Sequence, residues 1–171
     1  MGFEDVIGIP PDRVFLSSIA NNDFIEAQYN PEELEELVGT TYAKLVVPGL
    51  SHSVKQFVNT DDYQANFTLR FASTSVEDHE RNLVARRLLM AWCYPRADQN
   101  ALGRAGPPRV LFVWPTLVSL TCVITKVRFK HTRFNLSMTP TLMEVAVQLE
   151  EIRDTLLLSD AVADKGTERG T

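Results

Sequence analysis

The sequence predicts an α+β domain: a mainly antiparallel β-barrel or sandwich with one packed α-helix. Three observations predict it. Between Tyr63 and Ala72, Phe67, Leu69 and Phe71 alternate with Asn66, Thr68 and Arg70, the period of a half-buried strand. Ser75, followed three residues later by Asp78, opens an amphipathic helical stretch that stops at Pro95. The other apolar runs are short and bounded by turn residues, so the coarse order is β-β-β-β-α-β-β-β.

Residues 1–12 read as a flexible lead closed by Pro10-Pro11, 13–154 as one domain, and 155–171 as a partly disordered tail. Arg13 to Ile19 is a first strand, with Val14 and Leu16 on one face. Asn21-Asn22-Asp23 is turn chemistry, and Phe24 to Tyr29 returns as the second arm of a hairpin. Asn30-Pro31 stops it, because proline donates no amide and holds the residue before it extended. From Glu32 the pattern is ambiguous: a short turn, then an irregular extended segment to Pro48-Gly49, with a short strand at Val54–Val58.

The helix is expected over Val76–Tyr94. Glu77, Asp78 and Glu80 complement the positive end of its dipole. Val84, Leu88, Ala91 and Trp92 mark its inner stripe, widened by Leu83 and Leu89, with Arg81, Arg86 and Arg87 on the wetter side. A polar loop, Arg96–Gly106, leads to an apolar buried strand at Val110–Val113. In the long strand Val118–Lys130, Val118, Leu120, Cys122 and Ile124 share one face, whereas Val127 and Phe129 fall on the other. A bulge near Ile124-Thr125, or a strand moving between two packing environments, would explain that switch. The last strand sets Met143, Val145, Val147 and Leu149 against Glu144, Gln148 and Glu150. Leu69, Phe71, Leu88, Trp92, Leu111, Val113 and Val145 form the expected core. Leu156–Leu158 and Val162 begin a short helix in the tail.

Composition removes several function classes. Of 171 residues, 44% are apolar, enough for a real core, and the net charge is -5 from 17 basic and 22 acidic residues. That balance argues against sequence-specific nucleic-acid binding through a broad basic face. No apolar run approaches the ~18–20 residues of a membrane-spanning helix, and Met1–Asp5 has no signal-peptide character, so cytoplasmic synthesis is expected. Cys93 and Cys122 form no C-x-x-C pair and read as buried thiols in a reducing compartment. His52, His79 and His131 fit no metal-ligand spacing, no G-x-S-x-G or phosphate-cradling loop occurs, and Asp61-Asp62 beside Asn59-Thr60 reads as a turn. No catalytic, cofactor-binding or metal-binding residue is assigned.

Two charge features remain. Lys126, Arg128, Lys130 and Arg133 form a basic stripe on a strand; it is either a solvated face or a contact for an acidic partner or nucleic acid. Glu32, Glu33, Glu35 and Glu36 form an acidic block, and block and stripe could meet between neighbouring subunits. Tyr29, Asn30 and Pro31 are the second candidate contact.

Gln28-Tyr29-Asn30-Pro31-Glu32-Glu33-Leu34, then Pro107-Pro108-Arg109-Val110-Leu111-Phe112-Val113-Trp114, then Phe134 and Thr139-Pro140-Thr141-Leu142 occur in that order. In order and spacing, over about Arg13–Arg153, the chain resembles the tube proteins of contractile injection systems and contractile phage tails. It departs from the family pattern at two turns: Pro115 stands where glycine commonly follows the tryptophan, and Thr139–Met143 lacks the usual glycine turn with its arginine. The tail is too short for the lysin-motif domain that many relatives carry.

The resemblance implies a barrel of the tail-tube type and a non-enzymatic role. It implies a homo-oligomeric, hexameric ring at the baseplate end of the tube, in contact with tube, hub and baseplate proteins, coupling the central spike to the inner tube. Its place would be a phage virion or an injection particle. The competing reading is a small enzyme or ligand-binding barrel, which a domain of this size can also be.

Overall fold

The computed structural model describes residues 13–96 and 106–153. The expected lead at 1–12, the loop over 97–105 and the tail from 155 lie outside the described residues.

The strands are β1 (Phe15–Ser18), β2 (Phe24–Glu26), β3 (Leu34–Leu37), β4 (Thr40–Leu45), β5 (Val54–Thr60), β6 (Gln64–Ala72), β7 (Val110–Trp114), β8 (Val118–Phe134) and β9 (Pro140–Glu151), with α1 (Val76–Ala91) between β6 and β7. Seven strands form one sheet in the order β2-β1-β7-β8-β9-β6-β3, and β4 pairs only with β5. All the strand pairs are antiparallel. The turn between β1 and β2 puts Asn22 at φ 57, a left-handed conformation that asparagine tolerates.

The seven-stranded sheet curls on itself. β6 and β7 have two strands between them, which would set their side chains about 14 Å apart in a flat sheet. Instead the rings of Phe67 and Phe112 stack with centroids 4.9 Å apart. The chain leaving β2 then returns to β6: Tyr29 bridges Arg70, and Gln28 exchanges two hydrogen bonds with the backbone of Ala72. Asn30 Oδ1 accepts the N–H of Val14 at 3.1 Å. The Gln28-Tyr29-Asn30 motif thus closes the barrel along its seam. The interior is filled by side chains, including Leu16, Leu69, Val110, Phe112, Val145, Val147 and Leu149.

The expected alternation of β6 and β9 holds, with Phe67, Leu69, Phe71, Met143, Val145, Val147 and Leu149 all buried. The β8 register shifts against β9 between Ile124 and Lys126. Thr125 is therefore the bulged residue that returns Val127 and Phe129 to the inner face.

Four expectations need correction. β7 is not buried on both faces: Val110 and Phe112 point inward, while Leu111 and Val113 are half-buried on the outer surface. One side of a barrel wall faces outward, so a wholly apolar run still alternates. The helix presents Asn82, Ala85, Leu89 and Trp92 to the barrel, while Val84 is 51% exposed and Ala91 is exposed. Asn82 decides this rotation, because its Nδ2 donates to the Ala72 carbonyl at 3.2 Å and to Ser73 Oγ at 2.9 Å. The helix also ends earlier, at Ala91 with Trp92 as its cap. At its start, the Ser75–Asp78 capping box is present in both directions.

The segment from Glu32 to Val47 is also more regular than its sequence suggests. β3 and β4 follow one another and pair with β6 and β5, so 34–45 and 54–72 make one long ribbon. Its inner half belongs to the barrel. Its outer half, β4–β5, is an arm on which every residue from Thr40 to Thr60 is exposed.

Candidate subunit interface

The outer face of the barrel carries residues of the opposite parity to the core. Asn66, Thr68 and Arg70 of β6 lie beside Gln148, Ala146 and Glu144 of β9, which in turn lie beside Lys126, Arg128 and Lys130 of β8. Glu35 of β3 pairs with Asn66 at the other side. With the exception of Lys130, these residues line an open groove of about 910 Å³ together with Tyr29, Asn30, Glu32 and Glu33.

The sequence-selected residues therefore divide. Lys126, Arg128, Tyr29 and Asn30 line this one groove. Lys130 joins an ion-pair ladder across the strands: Glu32–Arg70 at 2.6 Å, Arg70–Glu144 at 3.6 Å and Glu144–Lys130 at 3.5 Å. Arg133 sits at the end of β8 with φ 56, its carbonyl accepting the Thr141 hydroxyl at 2.7 Å. Pro31 is half-buried beside the seam.

Exposed ion pairs contribute only ~0–1 kcal/mol each. The ladder's larger effect is to cancel charge in the middle of the groove. Lys126 and Arg128 on β8 are left with no acidic partner among the described residues. Glu33 and Glu35 likewise have no basic partner among them; Glu35 accepts a hydrogen bond from Asn66 at 3.2 Å. The acidic block and basic stripe thus form opposite walls of a groove within one subunit. Glu36 turns away to accept the Tyr63 hydroxyl. Burial, together with that hydrogen bond and the Glu36 charge, pushes the Tyr63 pKa upward.

The arm carries the second unusual surface. Tyr42 and Phe57 are 53% and 57% exposed, yet their rings meet edge-to-face with centroids 6.0 Å apart. Lys44 and Lys55 lie directly opposite each other, two residues further out on the same face. Val46, Val47 and Leu50 are exposed towards the arm's turn. Such a two-stranded ribbon is marginal in water by itself.

At the root of the arm, the Asp61 N–H donates to the Gly39 carbonyl at 3.0 Å. Its carboxylate accepts from Thr41 Oγ1 at 3.3 Å and Asn59 Nδ2 at 3.4 Å. Asp61 is thus a junction residue, as its turn chemistry suggests. Among the described residues no group of three or more His, Cys, Asp or Glu could hold a metal ion, and no helix is long and apolar enough to cross a membrane.

A mainly antiparallel barrel with one helix among the described residues agrees with the fold that the sequence resemblance implies. Residues 12–158 match the contractile injection system tube protein family. The chain belongs to that family. Its role is structural, as a tail or tube protein.

Among solved structures, this tube protein is similar to a chain in the tail of an empty gene transfer agent particle refined with C6 symmetry. The TM-score is 0.41 at 8% identity, covering 88% of this chain and 98% of that one. A chain in the virion of a native gene transfer agent particle gives 0.38 at 9% identity, covering 85% and 98%. No curated protein sequence matches the tube protein.

Sequence reading missed Arg70 and Glu144 as the centre of the groove, and missed the arm. The arm's signal was present in hindsight: from Thr40 to Thr60 there are two lysines and no acidic residue, in a chain of net charge -5.

Proposed function

We propose that this tube protein forms a ring, six copies in the reading that its family supports, at the baseplate end of a contractile tail or injection particle. There it couples the central hub or spike to the inner tube. The arm is the observation that carries the reading. An all-exposed ribbon bearing Tyr42, Phe57, Val46 and Leu50 is stable only when something covers it. A ring of heterologous contacts covers an arm on every copy and leaves none over.

Residues Lys126, Arg128, Lys130, Arg133, Tyr29, Asn30 and Pro31 are proposed as part of the contact surface, with Lys126 and Arg128 the most available of the cations. Neighbouring tube, hub and baseplate proteins are the proposed partners, and the proposed work needs no substrate turnover. Deletion of the chain tests this. Particles should then lack assembled tubes or carry tubes detached from the hub, and a map of wild-type particles should place the chain as a ring at that junction. A normal tube in the deletion strain would overturn the proposal.

A further inference from the structure

Resting on the ring reading, we propose that the β4–β5 arm of one copy lies across the outer groove of the next. In this arrangement Lys44 and Lys55 are set against Glu33 and Glu35. The occupant is a second copy of this chain because both halves of the fit are present on it.

The arm needs an acidic, partly apolar receiver. Lys44 and Lys55 are opposed across the ribbon, and like charges directly opposite destabilise a strand pair unless anions approach both. No acidic residue lies anywhere between Thr40 and Thr60 to supply them. The aromatic pair Tyr42–Phe57 is on the same face as the lysines, so one docking event covers both.

The groove offers the converse. Glu33 and Glu35 stand on its β3 side without a basic partner among the described residues. Its floor is made of two small side chains, Thr68 and Ala146, side by side on β6 and β9.

Orientation follows from the other wall. Lys126 and Arg128 stand on β8, beyond β6 and β9, and would repel the arm's lysines. The lysines therefore go to the β3 side. Asp61 and Asp62, at the arm's root and opposite in charge to its outer part, come toward Lys126 and Arg128. The contact uses two different surfaces of the same chain, so it is heterologous and propagates from copy to copy.

The test uses full-length chains and three variants: Lys44→Glu with Lys55→Glu, Glu33→Lys with Glu35→Lys, and all four together. Circular dichroism checks folding, and quantitative mass spectrometry counts copies per purified particle. Each double variant should lose incorporation by at least about tenfold, the size of effect that a few misplaced interface charges produce. The fourfold variant should recover it. Normal incorporation of either double variant, or a fourfold variant no better than the doubles, would overturn the docking.

Should a double variant fail to fold, carbodiimide crosslinking of wild-type particles assembled from mixed isotope-labelled and unlabelled chains decides. Links from Lys44 or Lys55 to Glu33 or Glu35 between copies support the docking. Their absence in particles that contain the chain rejects it. Particles without the chain would reject the ring reading itself.

Discussion

Gln28 holds the backbone of Ala72 from both sides: its Oε1 accepts the Ala72 N–H at 2.8 Å, and its Nε2 donates to the Ala72 carbonyl at 3.1 Å. A side-chain amide here replaces a strand neighbour. β3 covers β6 only as far as Phe67, and beyond that the edge would be open. Gln28 and the Tyr29–Arg70 bridge complete it, which explains why the motif before Pro31 is a seam before it is a contact surface.

Gln28→Ala should destabilise the domain by about 1–3 kcal/mol, since it strands the Ala72 N–H in a half-buried place, while the Ala72 carbonyl keeps its bond from Asn82. Urea unfolding measures it. A change within about 0.5 kcal/mol, the usual range of a neutral surface substitution, would mean that water replaces the amide and the seam holds without it.

The helix face can be ranked. Leu89 is fully buried, Leu88 half-buried and Val84 exposed. Leu89→Ala should cost about 2–5 kcal/mol, Leu88→Ala less, and Val84→Ala under about 0.5 kcal/mol. An inverted order in denaturant unfolding would return the helix to the rotation its sequence suggests.

Gly39 is tied to Asp61. A Cβ on Gly39 would stand 2.3 Å from Asp61 Oδ2, so Gly39→Ala must swing the carboxylate away from Thr41 and Asn59. The strain falls on a flexible side chain, so global stability should change little while the arm loosens. Limited proteolysis should then cut faster between residues 40 and 60, and the Asp61→Ala variant should behave alike. Unchanged cleavage in both would show that this joint does not hold the arm.

Thr116 has φ 65 in the turn from β7 to β8, next to Pro115. A β-branched residue there carries about 1–2 kcal/mol of left-handed strain. Thr116→Gly should raise stability by roughly 0.5–1 kcal/mol, the relief being partly offset by glycine's greater unfolded-state freedom. A loss of stability in urea would show that Thr116 makes a compensating contact.

The two thiols should differ in reactivity. Burial, reinforced by the Glu151 charge, pushes the Cys122 pKa up to about 12; burial also raises Cys93, which is less enclosed. At mildly alkaline pH a maleimide should label Cys93 first and leave Cys122 until the domain opens. Equal rates would mean that the barrel wall at Val110, whose carbonyl accepts the Cys122 thiol at 3.3 Å, opens readily.

Local chemistry by itself determined much of this tube protein. The β6 and β9 alternations, the Ser75–Asp78 cap, the bulge at Thr125 and the turn at Asn22 each depend on neighbours within a few residues, so each is written in order along the chain. Family membership was legible for a related reason: strands and turns of set length must follow one another to build this barrel.

The tertiary structure alone decided which surfaces meet. Gln28 finds Ala72 across 44 positions, and Asn82 rotates the helix by bonding to Ala72 and Ser73. β7 alternates because barrel closure gives it an outside. The basic stripe and the acidic block become two walls of one groove because β9 and β6 lie between β8 and β3. The ribbon's outer half becomes an arm because the barrel closes before reaching it. Each outcome depends on strand order and curl, set by the packing of residues far apart in the chain, and a local periodicity carries no record of them.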